Sequence, residues 1–208
     1  MILLMGLILV ICESLMSQTE EPKYSVLQSY DDIEIRQYEP KIVAETVIQT
    51  ERDRANKAAF SILAAYIFGE NTSVTKIAMT APVTQSQPSE KIAMTAPVIQ
   101  QEAGENLATS DRATWAVQFV MPSQYTLATL PKPKDSRITI KEVPSNKVAA
   151  IRFSGLAGDE QLQENEAKLS AFLARQGIET KGKAIYAFYD SPFILPAFRR
   201  NEVMLELK

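Results

Sequence analysis

The chain has 208 residues, 46% of them hydrophobic, and a formal net charge of −3, which fits one globular core and offers no basic excess to hold a phosphate backbone. It contains no histidine, which excludes Ser-His-Asp and Cys-His catalysis, His-ligated zinc and His-ligated haem together. The single cysteine, Cys12, excludes an intramolecular disulfide and a cysteine metal cluster.

Met1 to Ile11 is almost wholly apolar. It has the length of a signal-peptide core and is short for a membrane span. No Lys or Arg precedes it, and Leu9-Val10-Ile11-Cys12 is only a partial lipoprotein box. Residues 1–21 read as an export or anchoring segment. That reading implies an exported or membrane-associated protein of the cell envelope, with membrane association through the N-terminal segment. A misassigned start codon or a short membrane-associating tail is the alternative. Residues 22–208 then form a single domain.

Tyr24–Gln28 and Ile33–Tyr38 predict short strands. Lys41–Gln49 predicts a longer one, with Ile42, Ala44, Thr46 and Ile48 alternating against Val43, Glu45 and Val47. Thr50 and Asp53 form a helix-start signal of the capping-box kind. Ala59, Ile62, Leu63, Tyr66 and Ile67 follow at helical spacing, and Gly69 closes the helix. The segment Lys76-Ile77-Ala78-Met79-Thr80-Ala81-Pro82-Val83 recurs, 15 residues on, as Lys91 to Val98. Met79 and Met94 within it read as core or strand residues before they read as soft ligands. The polar stretch from about Thr84 to Arg112 predicts a mobile loop or lid, broken by the second copy.

Ala113–Met121 predicts a strand with Trp115, Val117 and Phe119 on one face, and Pro122 ends it. Leu130-Pro131-Lys132-Pro133 reads as a stiff extended linker. Arg137–Val143, Lys147–Ser154 and a helix from Gly158-Asp159 to Gly177 repeat the earlier order of strand, Pro turn, strand and helix. Two such units cannot each bury an apolar face alone, so they should share one curved antiparallel sheet carrying two helices. Lys183–Tyr189 and Glu202–Leu207 supply the last strands. Tyr186, Phe188 and Tyr189 read as alternating strand residues before they read as a stacking platform. The groove between helices and sheet is a natural place for a small-molecule site.

Four segments in order resemble the SOUL haem-binding family. They are the doubled Ile-Ala-Met-Thr-Ala-Pro-Val, Trp115 to Pro122, Val148 to Gly155, and Pro192-Phe193 through Pro196 to Arg199-Arg200-Asn201-Glu202-Val203. The resemblance spans about Pro22 to the C-terminus. It implies an α+β fold: a distorted antiparallel β-barrel of two pseudo-repeated strand-strand-helix halves, flanked by two long helices. It also implies non-covalent binding of haem or another tetrapyrrole in a surface groove, along the first helix and near the segment before Arg199.

By an approximate pairing, relatives carry cations at the places of Lys57, Ala65 and Leu195, and only Lys57 is basic here. The histidine that one branch uses as an axial ligand is absent. The implied groove is lined by Phe60, Ala64, Phe68 and Leu195, with Lys57 and Arg199 as propionate partners. The alternative reading is that one of Arg199 and Arg200 caps or pairs with Glu202 and fixes the chain turn.

The expected function is a tetrapyrrole carrier or buffer, with no nucleic-acid partner. One alternative is an enzyme acting on tetrapyrroles, such as one removing the metal, with Glu45 or Glu70 shuttling protons; no motif assembles a nucleophile, base and orienter for it. Another is a general small-molecule or partner-binding module, similar in its two halves to effector-binding domains of transcription regulators.

Overall fold

The computed structural model describes residues 19–73, 89–103 and 113–208. Most of the expected leader and the first motif copy, Lys76–Val83, lie outside the described residues.

Along the described chain run β1 (Tyr24–Tyr30), β2 (Ile33–Tyr38), β3 (Lys41–Gln49), α1 (Arg52–Ile67), β4 (Asn71–Thr72), β5 (Val98–Glu102) and β6 (Thr114–Val120). There follow β7 (Lys132–Pro133), β8 (Thr139–Val143), β9 (Asn146–Phe153), α2 (Asp159–Arg175), β10 (Thr180–Phe188), a 3-10 turn (Pro196–Phe198) and β11 (Asn201–Leu207). Nine strands form one sheet in the order β1-β2-β9-β11-β10-β5-β6-β3-β8, and β4 pairs with β7 apart from it. Every pairing is antiparallel. The strands on either side of each Pro turn do not pair with each other. Instead β2 pairs with β9 and β3 with β8.

Period-two alternation gives the sheet two buried faces. On the first, α2 packs Leu162, Leu169 and Leu173 against Ile33 and Ile35 of β2, Ala149 and Ile151 of β9, and Val203 and Leu205 of β11. On the same face α1 packs Ala59, Leu63, Tyr66 and Ile67 against Ala44 of β3 and Val117 and Phe119 of β6. The sheet curls so that its other face encloses two smaller cores. One holds Tyr38, Val148, Ala150, Ala187 and Met204; the other holds Val43, Ile99 and Val120. Ile185 packs against both. The α+β class, with a curled antiparallel sheet and two helices, is what the sequence predicts.

Gly69 and Gly177 end the helices as expected, at φ of 122° and 68°, where a side chain would be strained. The start of α1 differs from expectation. Thr50 does not cap it, because its N–H is drawn into the strand ladder and donates to the Ala113 carbonyl at 3.1 Å. Glu51 is the N-cap residue without a side-chain cap bond, and the Asp53 carboxylate goes to Arg52 at 2.6 Å.

The expected loop over 84–112 also needs correction. Val98–Glu102 is an interior strand, flanked by β10 and β6. Its polar letters hid it. The Gln100 side chain is fully buried and donates to the Arg52 carbonyl at 3.0 Å. In the second motif copy Ile92, Thr95 and Ala96 are buried, whereas Met94 stands exposed and is no core residue.

Candidate functional site

The two helices lie over different strands. α2 contacts β9 and β11, and α1 contacts β3 and β6. Strands β10 and β5 run between these pairs.

An apolar row crosses the sheet floor between the two helices. Phe188 of β10 faces Val98 of β5, and Val98 faces Phe119 of β6. Phe60 of α1 meets Phe119 edge-on, with ring centroids 5.4 Å apart. Phe188 and Val98 are half-buried, Phe119 is buried against Phe60, and Phe60 itself is exposed. A second row runs parallel to it through Tyr186, Gln100 and Val117, with the Trp115 ring 6.4 Å from Tyr186. Arg52 closes one end. Its buried guanidinium reaches from the start of α1 to the Asp159 carboxylate and, at 3.3 Å, to the Ala157 carbonyl at the start of α2.

Polar groups along the floor are only partly satisfied. The Tyr186 hydroxyl donates to Glu166 Oε2 at 2.9 Å, and burial together with that carboxylate pushes the phenol above its usual pKa. Trp115 Nε1, Asn56 Oδ1 and Gln100 Oε1 are shielded from solvent and lack a hydrogen-bond partner among the described residues. Such groups are costly unless an incoming donor or acceptor, or water, completes them. Lys57 is exposed on α1 and has no ion-pair partner among the described residues.

The structure places Lys57, Phe60, Ala64, Ala65 and Phe68 on the outward side of α1, with Ala64 half-buried and the others exposed. Leu195 and Arg199 lie on the loop after β10, which is tied to the end of β9 by the Gly155 N–H donating to the Pro196 carbonyl at 2.9 Å. Arg199 is committed to that loop. Its Nε donates to the Ile194 carbonyl at 2.8 Å and Nη2 to the Pro192 carbonyl at 2.6 Å.

Neither arginine of the Arg199-Arg200 pair meets Glu202 in an ion pair. Arg200 lies over the Tyr189 ring and bridges to Glu21 at 2.5 Å, while Glu202 is taken by Arg36. Glu45 Oε2 accepts from Gln118 and pairs with Lys141, each at 2.6 Å. No group of three or more His, Cys, Asp or Glu side chains that could hold a metal occurs among the described residues.

Of the floor residues, Phe119 and Phe188 were legible only as alternating strand positions and Val98 only as the end of the second motif copy. Strand order is what brings them together. Two concavities, of about 470 Å³ and 710 Å³, open elsewhere, and none of the predicted site residues lines either.

The SOUL heme-binding protein family matches residues 19–90 and 85–206. The chain belongs to this family. The two matched SOUL segments overlap between the two motif copies, as a tandem duplication would produce. Heme-binding protein 2 of Mus musculus and of Homo sapiens are each 30% identical over 175 residues, covering 83% of this SOUL chain and 76% of theirs. Among solved structures the EcmrR C-terminal domain is similar at a TM-score of 0.58 and 9% identity, covering 89% of this chain and 98% of that one. A hydrolase from Listeria innocua is similar at 0.52 and 12%, covering 96% and 98%. At such identities these two likenesses show the SOUL chain's fold alone.

Proposed function

We propose that this chain binds haem or a related tetrapyrrole non-covalently in the groove between α1 and α2, as a carrier or buffer. The observation that supports this best is the apolar row of Phe60, Phe119, Val98 and Phe188, in which Phe60 is exposed and Val98 and Phe188 are half-buried. A tetrapyrrole offers a wide apolar plane and two anionic propionates. The plane would cover the row, and Lys57 is the cation free to meet a propionate at the rim. Trp115 Nε1 is a shielded donor that an acceptor from the ligand would complete. A chain without histidine cannot supply an imidazole, so recognition rests on the macrocycle.

The two halves share an element order, β2-β3-α1-β5-β6 and β8-β9-α2-β10-β11 once the short β4 and β7 are set aside. That order supports reading them as pseudo-repeated, with the groove between their helices. The leader at 1–21 is read as the exporting or anchoring segment. No helix among the described residues is long and apolar enough to cross a membrane.

A second location is favoured by size. The concavity of about 710 Å³ at the end of the sheet is lined by Lys41, Pro40, Ile42 and Val120 among others, and lies within the usual range for small-molecule sites. Titration of the full chain with haem and with metal-free porphyrin separates the two. The groove predicts saturable quenching of Trp115, similar affinity for both ligands, and about three- to tenfold weakening by Lys57→Glu but not by Lys41→Glu. Unsaturable uptake would sink the proposal, and the reverse pattern of the two lysines would move the site to the concavity.

A further inference from the structure

Among the described residues the nine-stranded sheet has two free edges, β1 and β8. A free edge offers main-chain groups to any strand that fits, and charge or proline on it is the usual defence. β8 is defended, since Lys141 and Glu142 lie within it and Pro144 follows it. β1 is not. Its seven residues, Tyr-Ser-Val-Leu-Gln-Ser-Tyr, carry no charge and no proline, and all seven are exposed. Val26 and Leu27 near its middle are 49% and 48% exposed.

The pairing with β2 fixes which main-chain groups point outward. The Glu39 N–H donates to the Lys23 carbonyl at 3.0 Å. By alternation Gln37, Ile35 and Ile33 of β2 also turn to β1, and their partners Ser25, Gln28 and Tyr30 turn to β2. Tyr24, Val26 and Ser29 are left turned away from the sheet. A bulge falls between Val26 and Gln28, with Leu27 the extra residue. It twists the strand, yet an outward residue remains near each end, Tyr24 and Ser29.

The flanking charges select the occupant. Lys23 precedes β1, and Asp31 and Asp32 follow it. None of the three has an ion-pair partner among the described residues. Glu20 and Glu21 on the same approach are taken by the Ser123 N–H and by Arg200. A parallel copy of β1 would set like charges side by side. An antiparallel copy sets each Lys23 near the other's Asp31. With Tyr24 of each copy opposite Ser29 of the other, the twofold axis passes between Val26 and Leu27, which meet across it. Lys23 then stands opposite Tyr30, one residue from Asp31. An unrelated strand would need the same uncharged stretch with a cation at one end and anions at the other, and a second copy has both.

We propose that β1 is a self-association edge, through which two copies of this chain pair antiparallel over Tyr24–Tyr30 as a twofold dimer. β2, β9 and β11 separate β1 from β10, so the pairing is independent of the tetrapyrrole reading. One strand pair is at the small end of specific interfaces, so the dimer is weak and reversible.

Sedimentation equilibrium of the full chain tests this. Wild type should show a monomer–dimer equilibrium in the micromolar range. Leu27→Lys sets two lysines together at the axis and should weaken the dimer about tenfold or more with Tm little changed. Ser29→Pro removes an outward N–H that β2 does not use, and should weaken it as much. Lys23→Glu should weaken it about three- to tenfold, as antiparallel pairing requires. A chain that stays monomeric up to about 100 μM, a dimer indifferent to Leu27→Lys and Ser29→Pro, or one that Lys23→Glu leaves as strong would each overturn the proposal. So would assemblies that grow beyond the dimer, which would assign β1 to head-to-tail pairing with β8.

Discussion

Substituting Arg36 with Met should be the most damaging single change on the enclosed face of the sheet. Arg36 and Glu202 form a two-pronged ion pair, Nη1–Oε2 at 2.7 Å and Nη2–Oε1 at 3.1 Å, with side chains 4% and 3% exposed. The bridge runs from β2 to β11 across β9, over Val148 and Ala150. Burial pulls the guanidinium pKa down, but Glu202 more than offsets it, and the net shift is upward. Two unit charges about 4 Å apart interact by about 4 kcal/mol at an effective dielectric near 20. Without Arg36, Glu202 keeps the Tyr189 hydroxyl, which donates at 2.8 Å, and the more distant charge of Arg200, but loses its ion-pair partner while still buried.

Breaking such a pair costs about 3–5 kcal/mol, while replacing both partners with apolar groups of similar volume is often neutral or better. Urea unfolding followed by far-UV circular dichroism should therefore show Arg36→Met strongly destabilised. Arg36→Met with Glu202→Met should recover most of that loss. A single-variant cost below about 1 kcal/mol, or a double variant as unstable as the sum of the singles, would refute the reasoning.

Lys41 sits over the Tyr38 ring with Nζ 4.3 Å from its centroid, and burial lowers its pKa to about 8. Between pH about 8 and about 10.5 this lysine holds more of its proton in the unfolded chain than in the folded one, so its own contribution to stability rises with pH across that window, opposed towards pH about 10 by the tyrosines whose pKa values burial raises. Lys41→Met should remove this rise and stabilise the protein at pH 7 by about 1–2 kcal/mol, and identical pH slopes for the two chains would contradict it.

Gly155 has φ of 122°, and a Cβ there would lie 2.7 Å from the Gln161 amide nitrogen. Gly155→Ala should cost about 1–3 kcal/mol in thermal unfolding and loosen the loop that Gly155 holds at Pro196; an unchanged Tm would speak against it. Deleting residues 76–88 removes the first motif copy but keeps Glu90, whose backbone is gripped on both sides by Asn71. The second copy makes the described contacts, so stability should stay within about 1 kcal/mol, and loss of cooperative unfolding would show that the first copy is needed.

Much of the sheet was legible because burial on both faces enforces a period of two. Ile33–Tyr38 and Lys41–Gln49 begin and end where their alternation does. Gly69 and Gly177 marked the helix ends because only glycine takes their φ at little cost. β5 was hidden because Gln100, Gln101 and Glu102 read as loop, and only the strands on either side make their backbone part of the sheet. Thr50 misled for a related reason: a long-range ladder bond to Ala113 outweighed a local cap.

That Lys57, Phe60, Ala64 and Phe68 share one side of the helix follows from helical spacing, and of these Phe60 meets the apolar row through Phe119. The row itself depends on strand order, which brings Phe188, Val98 and Phe119 together from distant parts of the chain. Arg199 resembled an anion clamp, but its partners are carbonyls of its own loop, which no spacing rule reveals. The Arg36–Glu202 pair joins residues 166 positions apart, so Arg36 read as an ordinary polar strand position.

The groove is tested most directly by titrating haem into the Phe60→Glu chain. Phe60 is exposed, so the fold should tolerate the change, yet its ring stands at the α1 end of the apolar row. Binding through that row predicts at least a tenfold loss of affinity, read by Trp115 quenching, with Tm unchanged. Wild-type affinity in this variant would contradict the account.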